Sequence, residues 1–247
     1  MKKIKVGAVS YLNTKPLLFG IERSEELLQQ IELIKEYPSK IAQRLLNDEI
    51  DVGLVPVAII PQMKEHYIVS DYCIGAEGNV ASVCLFSETE INRVDRVLLD
   101  YQSRTSVALC KVLLKNHWKK KVVFEDAKND FSKEIKNNTA AVLIGDRALK
   151  QRRISKHMYD LGGEWEAMTG LPFVFAAWIA NKKLPEEFVA LFNQKNAEGI
   201  NNIDAVIKET ECDFYDLNIY FKQNISYTLT PEKLKGMKLF LELTQQL

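Results

Sequence analysis

Asp51-Val52-Gly53-Leu54-Val55-Pro56-Val57 (DVGLVPV) carries one charge, at its first residue, and is otherwise nearly all apolar. Such a run is expected of a strand buried on both sides of a parallel sheet. Upstream of it, Lys3 to Ser10 and Ile31 to Tyr37 read as two further strands. Between them Pro16 to Ile21 opens a helix after a tight turn, and Ser39 caps another whose Ile41, Leu45 and Leu46 share a face. The first sixty residues thus read β-α-β-α-β. Strand segments at Tyr67 to Cys73 and Ala81 to Phe86 follow, and then the pattern restarts. Arg93 to Asp100, Lys121 to Glu125, Ala140 to Gly145 and Leu171 to Ile179 read as strands, with helices at Thr105 to Trp118 and Asp130 to Lys136. Beyond Pro185 the chain turns helical: Pro185-Glu186-Glu187 and Thr230-Pro231-Glu232 are both helix starts, the second before an amphipathic run carrying Leu234, Met237 and Leu241.

Two α/β units and a helical tail imply two lobes joined by two crossings, near residues 85 and 176. Lobe I is then residues 1–84 with 177–247, including the C-terminal helices, and lobe II is residues 85–176. No linker rich in Gly, Pro or Ser separates them. The expected hinge is therefore made of strands.

Lys plus Arg and Asp plus Glu are both 33, a net charge of zero, which argues against nucleic acid as a partner. Lys119-Lys120-Lys121 reads as solvated surface. The opening lysines are not followed by an apolar stretch of signal-peptide length, and the run Leu171 to Ala180 is shorter than the ~20 residues of a membrane span. Cysteines 73, 84, 110 and 212 show no CxxC spacing and read as buried thiols of a reducing compartment. The expectation is a cytoplasmic protein without membrane association. His66, His117 and His157 lie far apart and outside any HExxH frame, and the chain has no GxSxG, Walker or GxGxxG motif. No metal site is expected.

Ligands of open α/β sheets bind beyond the carboxyl ends of strands, near helix N-termini. Three polar segments fall at such places. Ser10-Tyr11-Leu12-Asn13-Thr14 follows the first strand, where Ser10 and Asn13 offer neutral donors and acceptors and Thr14 can cap a helix; ordinary turn chemistry explains it equally well. Ser103-Arg104-Thr105-Ser106 precedes a clear helix, and three hydroxyls with the free N–H groups of a first turn suit an anion. Arg104 can face the ligand or solvent. Gly145-Asp146-Arg147 ends the AAVLIG strand, where Gly145 permits close backbone approach and Asp146 either lines the cleft or caps a helix.

Together these strings resemble one family. VGAVSYLNTKPL (6–17) is similar to the opening of the chorismate dehydratases of the futalosine route to menaquinone. DVGLVPVA (51–58), SRTSVAL (103–109), IGDRAL (144–149) and YDLGGEW...TGLPFVFAAW (159–178) match in the same order. The chain departs from that family at Ala76-Glu77-Gly78-Asn79-Val80, where a Gly-Pro-Val type of turn is common. Ser82 matches a serine the family places in its cleft.

The resemblance implies an α/β, two-lobed periplasmic-binding-protein-like (type II) fold with a ligand cleft between lobes. It implies a hydro-lyase that removes water from chorismate, giving 3-[(1-carboxyvinyl)oxy]benzoate, with no metal or organic cofactor. On it rest the expected roles. The helix start at Ser103, Arg104, Thr105 and Ser106 takes a substrate carboxylate, and Ser10, Tyr11, Thr14 and Gly145 line the cleft. Asn13 and Ser82 contact the reacting end. The proton goes to the substrate's own enolpyruvyl carboxylate, with Asp146 as the alternative base. Two rival readings stand beside this one: a non-catalytic binding protein for a small aromatic or carboxylate ligand, and the sister dihydroxynaphthoate-forming enzyme, whose opening segment is instead of the Ser-Pro-Cys-Pro-Asn-Asp type.

Overall fold

The structure, a computed structural model, describes residues 3–127 and 131–247. Its strands are β1 (Ile4–Val9), β2 (Ile31–Glu36), β3 (Val52–Pro56), β4 (Tyr67–Ala76), β5 (Val83–Ser87), β6 (Arg96–Leu99), β7 (Val123–Asp126), β8 (Thr139–Ile144), β9 (His157–Asp160), β10 (Phe173–Ala180) and β11 (Ser226–Thr228). Its α-helices are α1 (Lys15–Leu18), α2 (Glu25–Gln30), α3 (Pro38–Leu46), α4 (Thr105–Asn116), α5 (Gly145–Gln151), α6 (Leu161–Thr169), α7 (Glu186–Asn201), α8 (Ile203–Lys208), α9 (Leu217–Ile219) and α10 (Pro231–Thr244).

The strands form two sheets, ordered β11-β4-β10-β3-β1-β2 and β7-β6-β8-β5-β9. β1 is parallel to β2 and β3, and β6 is parallel to β7 and β8. β10 runs antiparallel to both β3 and β4, and β5 antiparallel to β8 and β9. Each sheet is therefore mixed, where the apolar runs alone suggested parallel pairing. A strand buried on both faces reads the same whichever way its neighbour runs, so the antiparallel β5 and β10 leave no trace in composition. All five residues of β3 and all eight of β10 are buried.

β5 and β10 are also where the chain changes sheets. It leaves the first after Ala76, joins the second at Val83, leaves that after Asp160 and rejoins the first at Phe173. These switches begin upstream of residues 85 and 176. The large aromatic groups of the first sheet cluster around β10: Trp165, Phe173 and Phe240 meet edge-on, with ring centroids 5.0–6.1 Å apart.

Local signals fared unevenly. Thr230 caps α10 through its hydroxyl, accepting from the Lys233 N–H. Ser39 does not cap α3: the helix starts with Pro38 at its first position, whose missing N–H costs nothing there. The segment Pro16 to Ile21 is only a short helix, α1, entered through a 3-10 turn at Leu12–Thr14. Of the helix expected over Asp130 to Lys136, Asp130 lies outside the described residues and the rest forms a 3-10 turn, Ser132–Glu134. Cys73, Cys84 and Cys110 are buried free thiols and Cys212 is half-buried. Among the described residues no helix is long and apolar enough to cross a membrane.

Candidate active site

The parallel strands β1, β6 and β8 end on one side of their sheets, and the segments that follow them meet there across the gap between the sheets. A cavity of about 50 Å³ lies at the junction. Its polar lining is Tyr11, Asn13, Ser103, Ser106 and the backbone of Gly145, and its walls include Pro56, Ile74 and Phe175. Small-molecule sites are commonly about 300–1,000 Å³. At about 50 Å³ the cavity is smaller than such a site.

A set of bonds joins its two sides. The Tyr11 hydroxyl donates to Gln102 Oε1. Leu12 N–H donates to Asp146 Oδ1 at 3.4 Å, Ser39 N–H to the Gln102 carbonyl at 3.2 Å, and Ala58 N–H to Thr105 Oγ1 at 3.1 Å. The Tyr11 ring lies flat against Gly145, which has φ of +61°; a Cβ there would stand 3.1 Å from the ring. Only glycine meets both demands cheaply.

Asn13 is buried in the 3-10 turn that follows β1. Its side-chain oxygen accepts from Thr14 Oγ1 at 3.4 Å, and its carbonyl accepts from the Tyr227 hydroxyl at 3.1 Å. Thr14 itself is wholly buried and caps nothing. Ser10 is exposed and lines a separate outer groove with Asp146, Lys15, Arg23 and Lys35.

Ser103 and Ser106 form a hydroxyl pair 2.9 Å apart, and Ser103 Oγ also accepts the Ser106 N–H at 3.1 Å. This closes the first turn of α4 from the cavity side. The Thr105 hydroxyl is already engaged by Ala58. Arg104 turns outward, to Gln43 Oε1 at 2.9 Å and Gln62 Oε1 at 3.4 Å, and lines a lysine-rich surface groove rather than the cavity. Arg147 is engaged by Asp100, one nitrogen lying 2.8 and 2.7 Å from its two oxygens. Asp100 in turn accepts the Gln102 and Ile144 N–H groups, so it fixes both loops that meet at the cavity.

Asp146 is half-buried in the first turn of α5. Burial pushes its carboxyl above the ordinary aspartate value, opposed by the Leu12 N–H and by Lys150 and Lys15. A carboxylate raised in this way is a stronger base than a solvated one. Burial likewise raises the Tyr11 phenol far above its usual range, keeping it a neutral donor.

Ser82 is wholly buried just before β5 and stands behind the cavity wall, which Val83 lines. Its N–H donates to the Val80 carbonyl at 2.7 Å, two residues back, so Val80–Ala81–Ser82 is a γ-turn. Ala81 at its centre has φ of +62°. For a non-glycine residue this conformation costs about 1–3 kcal/mol and persists only where its surroundings enforce it. The Ser82 carbonyl accepts Gly145 N–H at 2.8 Å. The buried Tyr220 hydroxyl lies beside the Ser82 side chain.

Asn13, Tyr11, Ser103, Ser106 and Gly145 thus meet at one cavity, whereas Ser10, Thr14, Arg104, Thr105, Asp146 and Ser82 do not line it. Gln102, Phe175, Tyr220 and Asp100 were not singled out from sequence; Arg147 was named with its segment, and it faces Asp100. Phe175 lay hidden in an apolar run, and Tyr220 belongs to the tail, which carries no local motif. Asp100, directly before the hydroxyl-rich segment, is the one that position in the sequence might have flagged. Among the described residues no group of three or more His, Cys, Asp or Glu side chains is placed to hold a metal.

The family model for menaquinone biosynthesis matches residues 4–246. A chorismate dehydratase of Thermus thermophilus is 25% identical, over 98% of this chain and 95% of its own. One from Campylobacter jejuni is 26% identical, over 96% and 95%. Among solved structures, a protein of Archaeoglobus fulgidus superposes with a TM-score of 0.79 at 16% identity, over 99% of this chain and 97% of the other. A Candida albicans protein described as having the generic periplasmic binding protein fold superposes with a TM-score of 0.65 at 13% identity, over 100% and 91%. The two-sheet architecture is therefore the two-lobed fold of periplasmic binding proteins.

Proposed function

Because this chain belongs to the menaquinone-biosynthesis family, we propose that it is a hydro-lyase that converts chorismate into 3-[(1-carboxyvinyl)oxy]benzoate. The observation that carries this reading is the meeting of Asn13, Ser103, Ser106 and Gly145, from three distant segments, at one cavity. That they do so in a chain aligned along nearly its whole length with two chorismate dehydratases supports it further.

In the proposed reaction a ring C–H bond and the neighbouring ring C–O bond break, the proton and hydroxide leave as water, and the ring gains its third double bond. The substrate is a dicarboxylate, and the cavity offers it neutral donors. The Ser103–Ser106 pair at the start of α4 suits one carboxylate, helped by the positive end of the helix dipole. Asn13 faces the reacting end and stabilises the departing oxygen, while Ser82 acts from the γ-turn behind the cavity wall. Apolar walls at Pro56, Ile74 and Phe175 cover the ring and exclude water. The proton passes to the substrate's enolpyruvyl carboxylate.

Purified protein incubated with chorismate should release an aromatic enolpyruvyl ether lighter by one water, detected by chromatography and mass. Unchanged chorismate beside a folded protein would overturn the reading and favour a binding role. The base is separated by pH. If the substrate carboxylate takes the proton, Asp146→Asn keeps the acidic limb of the kcat/KM profile. If Asp146 does, the limb lies above the ordinary aspartate range, in keeping with its raised pKa, and vanishes in the variant.

A cavity of about 50 Å³ admits no such substrate until the bonds from Tyr11 and Ser39 to Gln102 and from Leu12 to Asp146 open. We therefore assign residues 1–84 with 177–247 and residues 85–176 to lobes that part and close, the exact borders falling at β5 and β10. Small-angle scattering of Gln102→Ala combined with Asp146→Ala, which removes the Tyr11 and Leu12 bonds, should show a larger radius of gyration than that of the parent protein. Identical profiles would count against an opening governed by these bonds.

A further inference from the structure

We propose that Asp160 is a positioning residue for this site: with Arg152 it holds the Val80–Ala81–Ser82 turn in its left-handed form and so fixes Ser82 and Gly145. The inference rests on the functional reading above for its kinetic consequence, and on geometry alone for the clamp itself.

Asp160 ends β9 and is 7% exposed. One carboxylate oxygen accepts Val80 N–H at 2.9 Å and Gly162 N–H at 3.1 Å. The other accepts Ala81 N–H at 2.8 Å. Capping a helix requires an acceptor for one or two N–H groups of the first turn. Asp160 does this for α6 and still reaches back some eighty residues along the chain to the turn. Arg152, at the end of α5, lies 3.7 Å from Asp160 and donates to the Ala81 carbonyl at 3.2 Å. Both peptide groups flanking Ala81 are therefore held by this pair, of which Asp160 is buried and Arg152 half-exposed.

Alanine left to itself avoids a φ of +62°. Without the clamp the turn should relax to an ordinary conformation, which would swing the Ser82 carbonyl away from Gly145 N–H. Gly145 supports the Tyr11 ring, so the displacement would reach the cavity wall. The network thus runs from a carboxylate outside the cavity to residues on its lining.

The test is Asp160→Ser, which retains a capping hydroxyl for α6 but loses the second oxygen that holds Ala81. With chorismate, kcat should fall about 10²-fold with KM little changed. Adding Ala81→Gly, for which positive φ is costless, should restore about tenfold of that loss. Amide hydrogen exchange without substrate reads the clamp directly: protection at Ser82 and Gly145 is lost in Asp160→Ser and regained in the double variant. Should Asp160→Ser fail to fold, Arg152→Met on the half-exposed partner should show the same loss and the same rescue.

Wild-type kcat and protection in Asp160→Ser would overturn the proposal. So would a loss confined to α6 amides and not rescued by glycine, since Asp160 would then be a cap alone. If the parent protein leaves chorismate unchanged while protection follows the expected pattern, the functional reading fails and the clamp stands.

Discussion

Asn13→Ala is expected to lower kcat for chorismate dehydration by about 10²–10³-fold, the effect of removing a preorganised donor from a developing negative charge. The side chain is buried on the cavity lining, and its carbonyl is fixed by the Tyr227 hydroxyl. Its truncation should therefore change the chemistry more than the fold, leaving Tm within a few degrees. Asn13→Asp makes a sharper comparison. It keeps the shape but places a negative charge against a dianionic substrate, so KM should rise together with the fall in kcat. Steady-state kinetics of both variants beside thermal melts would check this. Near-normal turnover in Asn13→Ala and in Ser82→Ala would remove these residues from the reacting end.

The second large effect concerns stability. Gly199→Ala should destabilise the protein by about 3 kcal/mol, the upper range for overpacking. A Cβ at Gly199 would sit 1.8 Å from the Pro16 carbonyl oxygen and 2.7 Å from Phe19 Cβ, because α7 and α1 touch backbone to backbone. Gly20 makes the reciprocal approach: a Cβ there would stand 2.3 Å from the Lys195 carbonyl oxygen. Neither neighbour is a flexible side chain that can step aside. For a chain of this size the loss corresponds to a Tm lowered by roughly 6–12 °C. Since α1 follows Asn13 and Thr14 directly, activity should decline below the melting range too. An unchanged Tm would show that the helices part without cost.

The two-unit α/β pattern was legible because long apolar runs such as DVGLVPV and AAVLIG are strands in almost any setting. Strand direction was not, since β5 and β10 bury both faces and carry no polar alternation to orient them. At the site, residues directly after strand ends were readable: Asn13, Ser103, Ser106 and Gly145 meet where strand ends meet. Arg104 and Thr105 belong to the same string yet face elsewhere, because successive residues at a helix start point about 100° apart. The Ala81 turn was invisible. Its conformation is imposed from Asp160 and Arg152, and no local preference of alanine announces it.

The order of the strands has a consequence for the nascent chain. β10 lies between β3 and β4, both of which leave the ribosome before it. Until Phe173–Ala180 emerges, each has an open edge of unpaired backbone, while the whole second sheet is translated in between. At about 5–20 residues per second that interval lasts several seconds. The early half of the first sheet therefore waits, exposed to wrong pairing, for a segment that belongs to the far end of synthesis. Conditions that slow elongation between Val83 and Phe173 should prolong that exposure and lower the yield of soluble protein, though nothing in the finished fold has changed.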